Sequence, residues 1–228
     1  AGIAAFASNV VYLGEAIATG IDAVAYADIT ISNTGDISLA GSSGDGYYRY
    51  GSYPNYVYLA GDFNGTGIRA ESTLGSISVT NSGAITITDQ NPVDGMSGSS
   101  RSGDWHIGVI AKTLLGDSTI NNSGDITIAG GEMGYGLVAR TDSLTVYYDC
   151  PPPYDTGYYV CYNRYGGGAA TVINSGDIAI TLTAVQDFPN NFGNGITVGT
   201  GKYGGDAIVQ NSGDITIDAG AGSANGIA

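Results

Sequence analysis

Apolar and polar positions alternate with period two in five short stretches of this chain, and each stretch is interrupted at the same place by Asn and Gly. The apolar members are Ile31, Val79, Ile120, Val172 and Val209, two residues before an Asn. Four residues after that Asn stand Ile37, Ile85, Ile126, Ile178 and Ile215, and six after it Leu39, Ile87, Ile128, Ile180 and Ile217. Ser and Thr fill most of the places between. Alternation of β-branched residues marks a strand with one buried face. Each stretch therefore predicts two short strands with a bend at Asn-(Ser/Thr)-Gly. Asn and Gly suit such a corner because both tolerate left-handed backbone angles.

The five Asn residues, at 33, 81, 122, 174 and 211, stand 48, 41, 52 and 37 residues apart. The phrase is kept while the length between copies is not, which predicts stacked repeats with loops of free length. A second phrase follows each copy: Gly67-Ile68-Arg69-Ala70, Gly108-Val109-Ile110-Ala111, Gly136-Leu137-Val138-Ala139, Gly195-Ile196-Thr197-Val198 and Gly226-Ile227-Ala228. Read as the third strand of a turn, it completes a right-handed parallel β-helix of about five to six coils, one domain over residues 1–228. An antiparallel sandwich would instead pair neighbouring strands through hairpins. Identical phrases favour lying over one another, which a sandwich does not offer. In the solenoid the Asn shares the parity of the buried aliphatics. Asn33, Asn81, Asn122, Asn174 and Asn211 are then expected to stack as an amide ladder at about 4.8 Å per step.

Insertions are expected at 40–66, 88–106 and 181–194 after the second strand and at 140–169 after the third. Insertions at equivalent positions leave a solenoid on one side, and that side is where binding is sought. Asn9–Ala23 is expected to form one more, degraded coil, since Gly20-Ile21-Asp22-Ala23 fits the third-strand phrase. Ala1-Gly2-Ile3-Ala4 reads as another copy of that phrase, so both ends look uncapped. Bare strand edges template pairing, and the expectation is head-to-tail stacking of copies or excision from a longer array.

Composition narrows the partners. A formal net charge of −14, with seven Lys and Arg against 21 Asp and Glu, opposes binding to nucleic acid and to anionic lipid surfaces. No apolar run approaches 18 residues, so no helix is expected to insert in a membrane. Few charges with abundant Gly, Ser, Thr and Asn fit an exported protein, and the location expected is extracellular, at a cell surface. The chain opens at Ala1 with no secretory leader, which implies processing or a longer parent.

Candidate chemistry sits in the insertions. The first holds Tyr47, Tyr48, Tyr50, Tyr53, Tyr56 and Tyr58, and the one at 140–169 holds Tyr158 and Tyr159 among others. Tyr among Gly, Ser and Asn suits an adaptable binding surface, including one for sugars or surface receptors. The plainer reading is that the rings pack the loops onto the rod. Cys150 and Cys161 lie in one insertion; a disulfide is the expected reading, metal binding the weaker one. The phrase Asp residues, Asp36, Asp125, Asp177 and Asp214, predict an outward column, interrupted at Ala84. The bare solvated column is expected; a calcium ion at Asp125, Asp177 and Asp214 is the alternative.

No cofactor is called for, and no catalytic residue. His106 is the only histidine, beside Trp105, and no paired carboxylates recur on a strand. Asn64-Gly65-Thr66 and Asn121-Asn122-Ser123 match the glycosylation pattern, a short motif with frequent chance matches.

The Asn-Ser-Gly-Asp-Ile-Thr-Ile copies, alternating with Gly-Ile-x-Ala phrases, resemble the repeats of bacterial autotransporter passengers and related filamentous adhesins. The resemblance covers most of the chain outside the loops. It implies a right-handed β-helix at a cell surface with a structural or adhesive role. A translocator barrel and an Arg-Gly-Asp motif are both missing, and the Tyr-rich loops and cysteine pair are not part of the common repeat.

Overall fold

The computed structural model describes residues 3–8, 16–42, 63–89, 104–149, 160–183, 191–220 and 222–228. Within these the chain is all β, a right-handed parallel β-helix of three sheets with one appended hairpin. The right hand is the one a twisted strand imposes on a parallel crossover.

The first sheet collects the strands that end on the phrase Asn: β3 (Ile29–Asn33), β6 (Ile77–Asn81), β9 (Ser118–Asn122), β14 (Ala170–Asn174) and β17 (Ala207–Asn211). The second holds β1 (Ile3–Ser8), β4 (Ile37–Ser42), β7 (Ile85–Asp89), β10 (Ile126–Ala129), β15 (Ile178–Thr181) and β18 (Ile215–Asp218). The third holds β2 (Ala16–Ala25), β5 (Phe63–Ser72), β8 (Trp105–Thr113), β11 (Met133–Thr141), β16 (Phe192–Gly199) and β19 (Ser223–Ile227). Five coils have all three strands; the first described turn contributes β1 and β2. Among the described residues only β12 (Leu144–Asp149) and β13 (Val160–Tyr165) pair antiparallel, so the sandwich alternative is set aside.

Register is strict. Ile37, Ile85, Ile126, Ile178 and Ile215 are successive partners, and the first four are at most 1% exposed. Leu39, Ile87, Ile128 and Ile180 form a second such file, and Ile68, Val109, Leu137 and Ile196 a third. Each buried aliphatic contributes about 2 kcal/mol of transfer free energy, so the files hold the tube together.

The phrase Asn points inward and forms a continuous column. Asn33 Nδ2 donates to Asn81 Oδ1 at 2.7 Å, Asn81 to Asn122 at 2.7 Å, Asn122 to Asn174 at 2.8 Å and Asn174 to Asn211 at 2.7 Å. Each Nδ2 also donates to the carbonyl of the Gly two residues on, as Asn122 does to Gly124 at 2.7 Å. One amide thus satisfies its own bend and its neighbour in a place water does not reach.

The glycines have a different cause from the one the sequence suggests. The corner glycines do not take positive φ, which occurs at Gly130, Gly131 and Gly220. They are required by stacking: a Cβ on Gly83, Gly124, Gly176 or Gly213 would overlap the Gly carbonyl oxygen of the coil before it. The third-strand Gly is a similar case. A Cβ on Gly136 would lie 2.5 Å from Gly195 O and 2.7 Å from Ile178 Cγ2.

Three expectations change. Ala1-Gly2-Ile3-Ala4 is not a third-strand copy: Ile3 pairs with Ile37 and Ala5 with Leu39, in the second sheet. A Gly-aliphatic phrase this short fits either strand, and register decides. The true third strand of that turn is β2, where Ile21 pairs with Ile68 and Ala23 with Ala70. The insertions are also shorter than expected, because β5, β8 and β16 begin three or four residues before the phrase Gly and β4 runs to Ser42. The stretch 140–169 is not all loop: it opens with the end of β11 and contains the β12–β13 hairpin.

Candidate functional site

Four segments outside the described residues, 9–15, 43–62, 90–103 and 184–190, each connect a strand of the second sheet to the next strand of the third. Two other coils cross the same corner briefly, through Gly130-Gly131-Glu132 and through 219–222. This corner is the candidate site. Tyr47, Tyr48, Tyr50, Tyr53, Tyr56, Tyr58, Tyr158, Tyr159 and Cys150 lie outside the described residues. So does the proposed disulfide, although Cys161 itself stands in β13 opposite Tyr148.

Where the loops leave and rejoin, the tube contains a buried polar group of residues that the phrases do not announce. Asp104 Oδ1 accepts from the Phe63 N–H at 2.7 Å, and Asn64 Oδ1 accepts from the Trp105 N–H at 3.0 Å. The Asp104 carbonyl accepts from Glu132 and Met133 N–H, each at 3.0 Å. These bonds splice the starts of β5, β8 and β11 to one another. Asn64 is 2% exposed, which removes it as a glycosylation acceptor in the folded state.

His106 lies inside. Its register partners form the file Ala18, Gly65, His106, Gly134, Gly193 and Ala224. Glycine on either side makes room for the one large side chain. The Gly65 N–H donates to Nδ1 at 3.2 Å, which puts the ring proton on Nε2. Among the described residues Nε2 has no hydrogen-bond partner. Phe63 tilts against the ring at 5.1 Å between centroids. Gly131 covers its other edge: a Cβ there would lie 2.7 Å from Cδ2 and Nε2, and φ is +77°. Burial pushes the pKa of His106 from 6.5 down to about 4, against the opposing pull of the Asp89 charge. A neutral imidazole enclosed in this way is a packing element, without access to a substrate proton.

The Asp column is engaged. Asp36 Oδ1 accepts from the Ala84 N–H at 2.9 Å, Asp125 Oδ1 from Asp177 N–H at 3.0 Å, and Asp177 Oδ1 from Asp214 N–H at 2.9 Å. Each carboxylate receives the main-chain N–H of the following coil at the bend. The corner before the first sheet repeats the device: Asp28 accepts from Ser76 N–H, Ser76 Oγ from Asp117 N–H and Asp117 from Ala169 N–H. Among the described residues no group of three or more His, Cys, Asp or Glu side chains is placed to hold a metal ion. Asp177→Ala is expected to cost about 1 kcal/mol or less by removing an exposed acceptor, whereas Asp177→Asn keeps the acceptor and melts like the parent. Chelator changes none of the three melting curves; a calcium-dependent shift lost in Asp177→Asn would contradict this.

Arg69 and Lys112 are ion-paired on the outer face, Arg69 with Asp22 at 3.1 Å and Lys112 with Asp142 at 3.8 Å. Trp105 is 36% exposed at the corner, and on the adjoining strands the Tyr135 and Phe192 rings lie tilted by 56° with centroids 6.0 Å apart. Among the described residues no helix is long and apolar enough to cross a membrane. Comparison with protein-family models, curated proteins and solved structures finds no match.

Proposed function

We propose that this chain is a structural or adhesive rod segment of a bacterial cell surface, displaying long loops along one side. One observation supports the reading: three sheets stay in register coil after coil, while connections of unequal length join the second sheet to the third at a single corner. A rod with interchangeable loops on one edge is suited to display. The repeat resemblance and the few charges among abundant Gly, Ser, Thr and Asn support an extracellular setting.

The last described coil repeats the pattern of those before it: Ile227 partners Ile196, and Asn211 accepts from Asn174 and donates to Gly213 O at 2.7 Å. Repetition without change of register is what a stacked fibre or a long stalk requires. Negative-stain microscopy of native material is the test. Rods or filaments of constant width are expected, unaffected by added sugars; compact monodisperse particles would count against the reading.

A second reading is carbohydrate binding at the loop-bearing corner, favoured by Trp105 and the Tyr135–Phe192 pair beside the departing loops. It predicts glycan-array signal lost on Trp105→Ala, and an array with no signal removes it. A polysaccharide-cleaving version has less support, since His106 is enclosed and the phrase carboxylates are held by main-chain amides.

A further inference from the structure

We propose that the starts of β5 and β8 form an acid-operated seam, which protonation of the enclosed His106 opens while the rest of the rod stays folded. Three bonds close the seam. Asp104 Oδ1 accepts from Phe63 N–H at 2.7 Å, Asn64 Oδ1 from Trp105 N–H at 3.0 Å, and His106 Nδ1 from Gly65 N–H at 3.2 Å. In the other coils the place of His106 is taken by Gly or Ala, so one coil alone carries the device.

Among the described residues the buried ionisable side chains are Asp89, Asp104 and His106, and all three stand at this corner. Elsewhere the described interior is aliphatic, amide or hydroxyl, and acid leaves such groups unchanged. The ionisable neighbours of the ring are Asp89 at the end of β7, Asp104 before β8 and Glu132 before β11, whose N–H donates to the Asp104 carbonyl at 3.0 Å. β11 adds the Tyr135 phenol, while β10 and the first four residues of β5 add none. His106 is therefore the one group there that becomes positive in acid.

Nδ1 accepts only while it is unprotonated. A proton on it faces the Gly65 N–H, donor against donor, and the bond is lost. The ring has no room to turn away. A Cβ on Gly131 would lie 2.7 Å from Nε2, and one on Gly65 would lie 3.2 Å from Nδ1, so two backbones hold its edges. Nε2 has no hydrogen-bond partner among the described residues, which leaves the charged ring without an acceptor for either proton. Asp89 attracts the charge, but burial outweighs that attraction and holds the pKa at about 4. Relief comes from moving the ring into water. A local opening does this by parting three bonds, whereas global unfolding gives up every aliphatic file. It uncovers Phe63, 0% exposed in the closed seam, and puts an imidazolium on a rod of net charge −14. The seam belongs to the tube itself, and stands whether the rod serves display, adhesion or glycan binding.

Amide hydrogen exchange of the full chain at pH 7 and pH 4 tests this. A pKa of 6.5 in water and about 4 inside raises the opening equilibrium roughly a hundredfold over that interval. Protection factors at the Phe63, Gly65 and Trp105 amides are expected to fall together by about that factor. The Ser123 and Ser175 amides, bonded to Asn81 and Asn122 carbonyls at 2.8 and 2.9 Å, are expected to stay within about threefold of their pH 7 protection. His106→Gln and His106→Gly take up no proton, and each is expected to abolish the fall at the seam whatever its starting protection. A fall at the seam no larger than at Ser123 and Ser175 overturns the proposal. So does a fall that persists in a folded variant, which assigns the event to Asp89 or Asp104. The first comparison needs only the parent chain, so it decides even where a variant fails to fold.

Discussion

Asn122→Ala is expected to lower folding stability by about 3–5 kcal/mol, measured by denaturant unfolding. The change strands three buried groups together. Asn81 Nδ2 loses the acceptor it meets at 2.7 Å, Asn174 Oδ1 is one step beyond a 2.8 Å bond that disappears, and Gly124 O loses its donor. Asn122 is 0% exposed, so no water replaces what is lost, and each buried unpaired group costs about 1–3 kcal/mol. Asn211→Ala at the exposed end of the same column is expected to cost much less, about 1 kcal/mol, since solvent reaches the site. Equal losses at the two positions would mean that the column contributes no more than local bend geometry.

Acid is expected to destabilise the fold through His106, on the order of 3 kcal/mol between pH 6.5 and pH 4. The folded pKa, about 4, lies below the ordinary 6.5. In that window the unfolded chain binds a proton that the folded chain refuses. Stability from this residue is therefore fully present above pH 6.5 and is lost as pH falls toward 4. Carboxylates titrate in the same range, so the informative quantity is the difference from His106→Gln, which keeps them and removes the imidazole. The chain has a single histidine, and its imidazole resonances report one site without ambiguity. They are expected to keep neutral-ring shifts until about pH 4; titration near 6.5 would place His106 in solvent.

The stacked architecture was legible because its signal is periodic. Apolar alternation around Asn33, Asn81, Asn122, Asn174 and Asn211 reflects one buried face repeated at fixed parity, and such a pattern survives any loop length. The corner glycines were visible but for another reason than the real one, since close approach of stacked backbones leaves the same residue as a left-handed turn. Less could be read between the phrases. The third strands start upstream of the Gly because Phe63, Asn64 and Trp105 are tied by side-chain and main-chain bonds across coils, a cause with no local periodicity. His106 resembled a loop residue. Its interior place emerges only when the residues two before each third-strand Gly are aligned, giving Ala18, Gly65, His106, Gly134, Gly193 and Ala224. The Asp column looked like a charge pattern, and its use as an amide acceptor depends on the neighbouring coil. The hairpin within 140–169 had no repeat to reveal it.

The most direct test of stacked register is a set of inter-residue distances along one outward file of the second sheet. Ser38, Thr86, Thr127, Ala179 and Thr216 are successive partners there. Spin labels placed pairwise at 38 and 127, 38 and 179, and 38 and 216 should give backbone separations near 10, 14 and 19 Å, about 4.8 Å per coil. The increments should be equal although the intervening segments differ in length. Separations that follow the length of chain between labels, or that show no constant step, would contradict a parallel β-helix.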